Sequence, residues 1–306
     1  MTEVCVMEVS PRDGLQNESA VITTADKLAL IDRALAAGAR RIEVTSFVHP
    51  GRVPQMADAE AVCANLPQRG DVRYTGLVLN WRGYERLKAT GRLDEVGIVV
   101  PATDVFGERN QGTNVADSIV MATDIIRDAK ANGLSAQATI AVAFGCPFTG
   151  DVPPGAVLDI ACELADQGPC EIALADTIGV AVPMQVSGLF SSLREKLPQM
   201  PLRAHFHDTR NTGIANACAA IAAGVATLDA SIGGIGGCPF APNASGNVAT
   251  EDLVYMLDRS GIEHDLELEQ LIDSAGWLQD LLEKPLPSML LKAGPFTFDD
   301  SPEVQR

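Results

Sequence analysis

Eight short apolar runs, each followed by a segment with helical spacing, recur along this chain, and few architectures accommodate that order. The runs are VCVMEVS (4–10), RIEVTSF (41–47), YTGLVL (74–79), VGIVVPA (96–102), AQATIAVAF (136–144), EIALAD (171–176), LRAHFHD (202–208) and TLDASI (227–232). Between and after them lie helix-like stretches such as TTADKLALIDRALAAG, VADSIVMATDIIRDAKANG and ATEDLVYMLDRSG, many closing on Gly and several opening on Thr, Asp or Pro, as helix ends require. Nearly continuous apolar strands alternating with helices imply a parallel sheet covered by helices on its faces. Eight such units point to a closed (β/α)8 TIM barrel, an α/β fold, in preference to an open doubly wound sheet. No Gly-x-Gly-x-x-Gly opens a helix after the first run, so the usual signature of a dinucleotide fold is missing. With 306 residues the length prior allows two domains, but a barrel of roughly 250 residues forms one. The expectation is a single barrel over 1–306, with additional C-terminal helices over about 262–306, where DLELEQLIDSAGWLQDLLEK is amphipathic.

Composition narrows the function. No apolar stretch reaches the roughly 18 residues of a membrane span, and the first strand-like run starts too early to leave room for a signal peptide. A formal net charge of −17 repels polyanions, which argues against nucleic acid as a partner. Seven cysteines at irregular spacing, with no CxxC pair, argue against a disulfide framework and a structural zinc site, and fit reduced thiols in a cytoplasm.

Barrel enzymes work at the carboxyl ends of their strands, so unusual polar residues should gather there. Arg12 and Asp13 follow the first run, Glu43 and Thr45 lie in the second, Asp176 ends the sixth, and His205 and His207 end the seventh. Cys238 and Asn247 occupy GGIGGCPFAPNASGN (233–247) after the eighth. On a strand, residues i and i+2 share a face, so His205 and His207 can reach one ion. Two imidazoles with a carboxylate and an amide oxygen form a mixed N/O set suited to Mg²⁺ or Mn²⁺, zinc being less favoured. Asp208 then points to the other face, toward local hydrogen bonding at the next helix. A charged Glu43 inside a barrel is costly unless paired, and Arg12 is its candidate partner. Blander roles stand beside these: Asp13 in an Asp-Gly turn, Asp176 as a turn cap, Cys238 as a small buried thiol.

The motifs SPRDGLQNE (10–18), IEVTSFVHPGRVPQMAD (42–58), GCPFTG (145–150), EIALADTIGVAVP (171–183), HFHDT (205–209) and GGIGGCPFAPNASGNVATEDLVYML (233–257) resemble those of the hydroxymethylglutaryl-CoA lyase family. That resemblance implies a barrel and a metal site of Asp13, His205, His207 and Asn247. It implies retro-Claisen cleavage of a 3-hydroxyacyl-CoA to a keto acid and acetyl-CoA. Arg12 would be catalytic through the enolate oxygen, Cys238 would deliver a proton, and Glu43 and Asp176 would orient these groups. His205 would both ligate and carry protons. The partner is then an acyl-CoA substrate, and the assembly a homo-oligomer, dimer or tetramer.

Two departures bear on the substrate. After HDT the family usually continues Tyr-Gly-Gln, where this chain has Arg210, Asn211 and Thr212, and before Ala-Ser-Gly-Asn it usually has Ala-Gln-Gly, where this chain has Ala241, Pro242 and Asn243. Citramalyl-CoA or a longer-branched hydroxyglutaryl-CoA is therefore an alternative to 3-hydroxy-3-methylglutaryl-CoA. A condensing acyltransferase of the isopropylmalate or homocitrate synthase type, and a noncatalytic metal- or CoA-binding barrel, are the readings from other classes.

Overall fold

The computed structural model describes residues 3–237 and 246–296. Eight parallel strands close a barrel in sequence order: β1 (Cys5–Glu8), β2 (Arg41–Ser46), β3 (Arg73–Val78), β4 (Glu95–Pro101), β5 (Ser135–Ala141), β6 (Glu171–Asp176), β7 (Leu202–Phe206) and β8 (Thr227–Ala230). β8 pairs with β1 through Cys5↔Thr227 and Met7↔Asp229, which completes the ring. The expected fold class is thus the observed one.

Around the barrel lie α1 (Thr24–Ala36), α2 (Ala59–Ala64), α3 (Trp81–Thr90), α4 (Asp104–Asn110), α5 (Val115–Ala131), α6 (Pro154–Ala165), α7 (Pro183–Lys196), α8 (Gly213–Ala222) and α9 (Thr250–Arg259). Local chemistry sets where several begin. Thr23 Oγ1 accepts the Asp26 N–H while Asp26 accepts the Thr23 N–H, a reciprocal cap, and Asn80, Thr103 and Asn114 each accept an N–H of the first turn of α3, α4 and α5. After the eighth unit come α10 (Leu268–Leu282) and the short α11 (Leu290–Ala293). α10 buries Leu271, Ala275 and Leu278 against α1 and α9.

The barrel interior departs from the usual filling of branched apolar side chains. In its lower part Arg41 Nε lies 2.9 Å from Glu95 Oε2 and Arg41 Nη1 3.0 Å from Glu171 Oε2. Arg203 Nε lies 3.0 Å from Glu171 Oε2 and its Nη1 2.9 Å from Asp229 Oδ2. Thr75 and Gln137 donate to Glu95, Thr227 donates to Glu171, and Thr139 Oγ1 accepts from Arg203 Nη2. Every charge in this layer therefore has a charged partner, the condition for tolerating burial.

Candidate active site

The first strand ends sooner than its apolar run suggests. The Glu8 carboxylate accepts the Ser10 N–H at 2.8 Å, and Ser10–Gly14 winds into one π-helical turn in which the Val9 carbonyl accepts the N–H of Gly14 at 3.1 Å. Such wide turns recur at functional sites, and this one carries Arg12 and Asp13 at the carboxyl end of the barrel. Arg12 Nε forms a close ion pair with Glu43 Oε2, and its Nη1 lies 2.5 Å from Asp13 Oδ1. The partner expected for the buried Glu43 is in place.

His205 and His207 stand on the inner face of the barrel at and just beyond the end of β7. His207 Nε2 is 3.7 Å and His205 Nε2 3.9 Å from Asp13 Oδ2, and donor atoms of the three residues lie within 4.8 Å of one another. Donors bound to one ion at about 2.1 Å stand about 3.0 Å apart when adjacent and about 4.2 Å when opposed, so this spacing suits a shared ion. Burial opposes ionisation of Asp13, but the Arg12 guanidinium, with the two imidazoles beside it, outweighs burial and holds the carboxyl well below its usual range. A ligand carboxylate must be ionised in the same way.

Asn247 sits beside His207 through an isolated antiparallel bridge. Its Nδ2 donates to Asp13 Oδ2 at 2.8 Å and to the Ile235 carbonyl at 3.0 Å, while its buried Oδ1 has no partner among the described residues. Gly236, at φ +120°, makes room for this amide, because a Cβ there would lie 2.3 Å from Asn247 Nδ2. An ionised carboxylate, two imidazoles and a free amide oxygen, with no thiolate among them, fit a hard or borderline divalent cation.

The other expected residues fall as follows. Asp176 is buried near the two histidines, and both its oxygens accept backbone N–H groups, from Val180 at 2.8 Å and Ala181 at 3.0 Å. Burial raises its pKa, which those two hydrogen bonds only partly offset. Cys238 lies outside the described residues. Asp208 accepts the Gly213 N–H at 2.6 Å at the start of α8, the local role foreseen for it. Asn211, where the resemblance leads one to expect Gly, takes φ +57°, a left-handed conformation that Asn tolerates well. Arg210 donates to the carbonyls of Ile178 and Gly179, joining the loops after β7 and β6.

Sequence reasoning missed the residues that brace this rim. Asn17 donates to the Gly237 carbonyl at 2.6 Å, next to Cys238. Glu8, fully buried, accepts from Ser10 and Ile232 N–H groups and from Thr250 Oγ1, and Glu251 accepts the Gly233 N–H at 3.1 Å with both oxygens. An acid inside an otherwise apolar run was the signal available for Glu8. Asp229, whose Oδ2 lies 3.0 Å from His205 Nδ1, carried the same signal in TLDASI.

The HMGL-like family matches residues 3–277. The (R)-citramalyl-CoA lyase of Chloroflexus aurantiacus is 43% identical over 305 residues, covering 96% of each chain. The hydroxymethylglutaryl-CoA lyase of Bacillus subtilis is 39% identical over 290 residues, covering 95% of this chain and 97% of the relative. Among solved structures, an HMG-CoA lyase from Acinetobacter baumannii in complex with coenzyme A and 3-methylmalate superposes with a TM-score of 0.92 at 37% identity, covering 98% of this chain and 97% of that one.

Proposed function

The chain belongs to the HMGL-like family and is a carbon–carbon lyase, and on that premise we propose that it cleaves 3-hydroxy-3-methylglutaryl-CoA, or a close tertiary 3-hydroxyacyl-CoA, by a metal-dependent retro-Claisen reaction. The observation that carries this reading is the convergence of Asp13, His205 and His207 on one point beside the Arg12 guanidinium. Asp13, His205, His207 and Asn247 would hold Mg²⁺ or Mn²⁺. When bound, such an ion polarises the substrate's hydroxyl and lowers its pKa.

The remaining steps belong to the chain's own groups. His205 can take the hydroxyl proton on Nε2 only while that nitrogen is off the ion, and the proton's departure lets the carbinol carbon become a carbonyl as the C–C bond breaks. The electron pair passes to the thioester as an enolate. Arg12, permanently cationic and held by Glu43 and Asp13, stabilises that enolate oxygen, a contribution of a few kcal/mol for one preorganised donor. Cys238 would return a proton to the enolate carbon to give acetyl-CoA. Asp176, by holding the Val180 and Ala181 N–H groups, shapes the loop beside the histidines.

A second substrate reading is favoured by the similarity to a citramalyl-CoA lyase and by Arg210, Asn211 and Thr212. Citramalyl-CoA carries its free carboxylate directly on the carbinol carbon, one methylene closer than 3-hydroxy-3-methylglutaryl-CoA. A pocket separates substrates differing by one methylene by about 1–3 kcal/mol, or 10- to 200-fold. Incubating the metal-loaded protein with each ester and identifying the keto acid by mass tests the proposal. Acetoacetate plus acetyl-CoA supports the first reading, and pyruvate plus acetyl-CoA the second. Release of free CoA from acetyl-CoA and a keto acid would replace both with a condensing enzyme.

A further inference from the structure

The two histidines that face Asp13 differ in what stands behind them. His205 Nδ1 is 3.0 Å from Asp229 Oδ2, whereas His207 Nδ1 is buried with no partner among the described residues. Asp229 is in turn gripped by Arg203, whose Nη1 lies 3.0 Å from Oδ1 and 2.9 Å from Oδ2. Strand geometry creates this stack. Arg203, His205 and His207 follow at intervals of two on the inner face of β7, and Thr227 and Asp229 do the same on β8, with Arg203 in register with Thr227.

The donor inventory then dictates the proton's position. A guanidinium only donates and cannot give up its charge, so Arg203 holds Asp229 as an acceptor. An ionised carboxylate only accepts, so the contact with His205 requires the hydrogen to be on Nδ1. We propose that Arg203 and Asp229 are positioning residues for His205, fixing its Nδ1–H form so that the Nε2 lone pair faces Asp13 and a bound divalent ion. This rests on the metal site proposed above. Partners of this kind behind ligating histidines are worth about 10- to 100-fold in metal affinity.

The test reads metal affinity rather than turnover, with Mn²⁺ as the probe in calorimetric titrations of the full chain. Asp229→Asn sets an amide N–H against a donor, either Arg203 or His205, in whichever orientation it adopts. We expect it to weaken Mn²⁺ binding about 10- to 100-fold, while the same substitution in an H205A background changes affinity less than about twofold, because the effect acts through that ring. An affinity for D229N within twofold of the wild type, or an equal loss in both backgrounds, overturns the inference. Should D229N not fold, ¹⁵N NMR of the wild-type imidazoles at a pH where His205 is neutral decides it. Protonated Nδ1 is expected, and protonated Nε2 overturns the inference. A wild type that binds no Mn²⁺ would instead overturn the proposed metal site itself.

Discussion

The lower interior of the barrel and its carboxyl-end rim are both built from buried polar and charged side chains, yet they are organised differently. Below, Arg41 and Arg203 thread between Glu95, Glu171 and Asp229, and each charge is spent on another within the protein. At the rim, Asp13 Oδ2 stands 3.7–3.9 Å from His207 Nε2 and His205 Nε2 around a common space, and Asn247 Oδ1 beside them has no partner among the described residues. Closed pairing tolerates buried charge, and unfinished pairing leaves coordination to offer. Arg203 and Asp229 join the two regimes.

The contrast breaks most sharply at His207. Replacing it with Ala removes one donor without touching an ion pair of the lower layer, so kcat should fall by about three decades, matching the several kcal/mol such an ion supplies to the transition state. Turnover measured at saturating metal checks this, and a loss under tenfold would mean that the rim does not work as described. The lower layer predicts the opposite pattern. Arg41→Met takes from Glu95 its closest cationic partner and from Glu171 one of its two, and should cost about 3–5 kcal/mol in denaturant unfolding while Mn²⁺ affinity stays within twofold. A fall in affinity comparable to that of His207→Ala would erase the distinction between the regions.

Cys238→Ala sharpens the rim's division of labour. It should lower kcat by about two decades or more, as for a general acid, and leave metal affinity unchanged; unaltered turnover would remove the thiol from the mechanism. The smallest effect belongs to the bracing acids. Burial pushes the Glu251 carboxyl up from 4.5 to about 7, against hydrogen bonds from Ser288 and Gly233 that pull it down. The folded protein therefore holds this proton more tightly than the unfolded chain. Its contribution to stability is complete below pH 4.5 and is lost as pH rises to about 7. Glu251→Gln keeps an acceptor for Gly233 without the proton, so its stability relative to wild type should improve by up to about 3 kcal/mol across that window. Parallel pH profiles of the two proteins would refute this.

Much of the architecture was legible because it rests on periodicity. All eight apolar runs are strands, and His-x-His reads directly as two rings on one face. The boundaries were less legible. β1 stops at Glu8 rather than Ser10 because a buried carboxylate takes the Ser10 N–H and Pro11 has none to give to a ladder. Helix α4 (Asp104–Asn110) was overlooked, since its short span, capped by Thr103, lies in a polar stretch without an apolar stripe. Asp229 and Arg203 escaped notice for a different reason. Each is a lone charge in an apolar strand, and only the closed register of β7 and β8 shows what they face. Asp176 shows the reverse, as an acid chosen for its place at a strand end whose oxygens are occupied by the turn that follows.

The central claim is that Asp13, His205 and His207 share one divalent cation. Anomalous diffraction from crystals soaked in Mn²⁺ tests it most directly. We expect a peak at bonding distance, about 2.1 Å, from Asp13 Oδ2 and from both Nε2 atoms. A strong peak elsewhere, with none between these three residues, would contradict it.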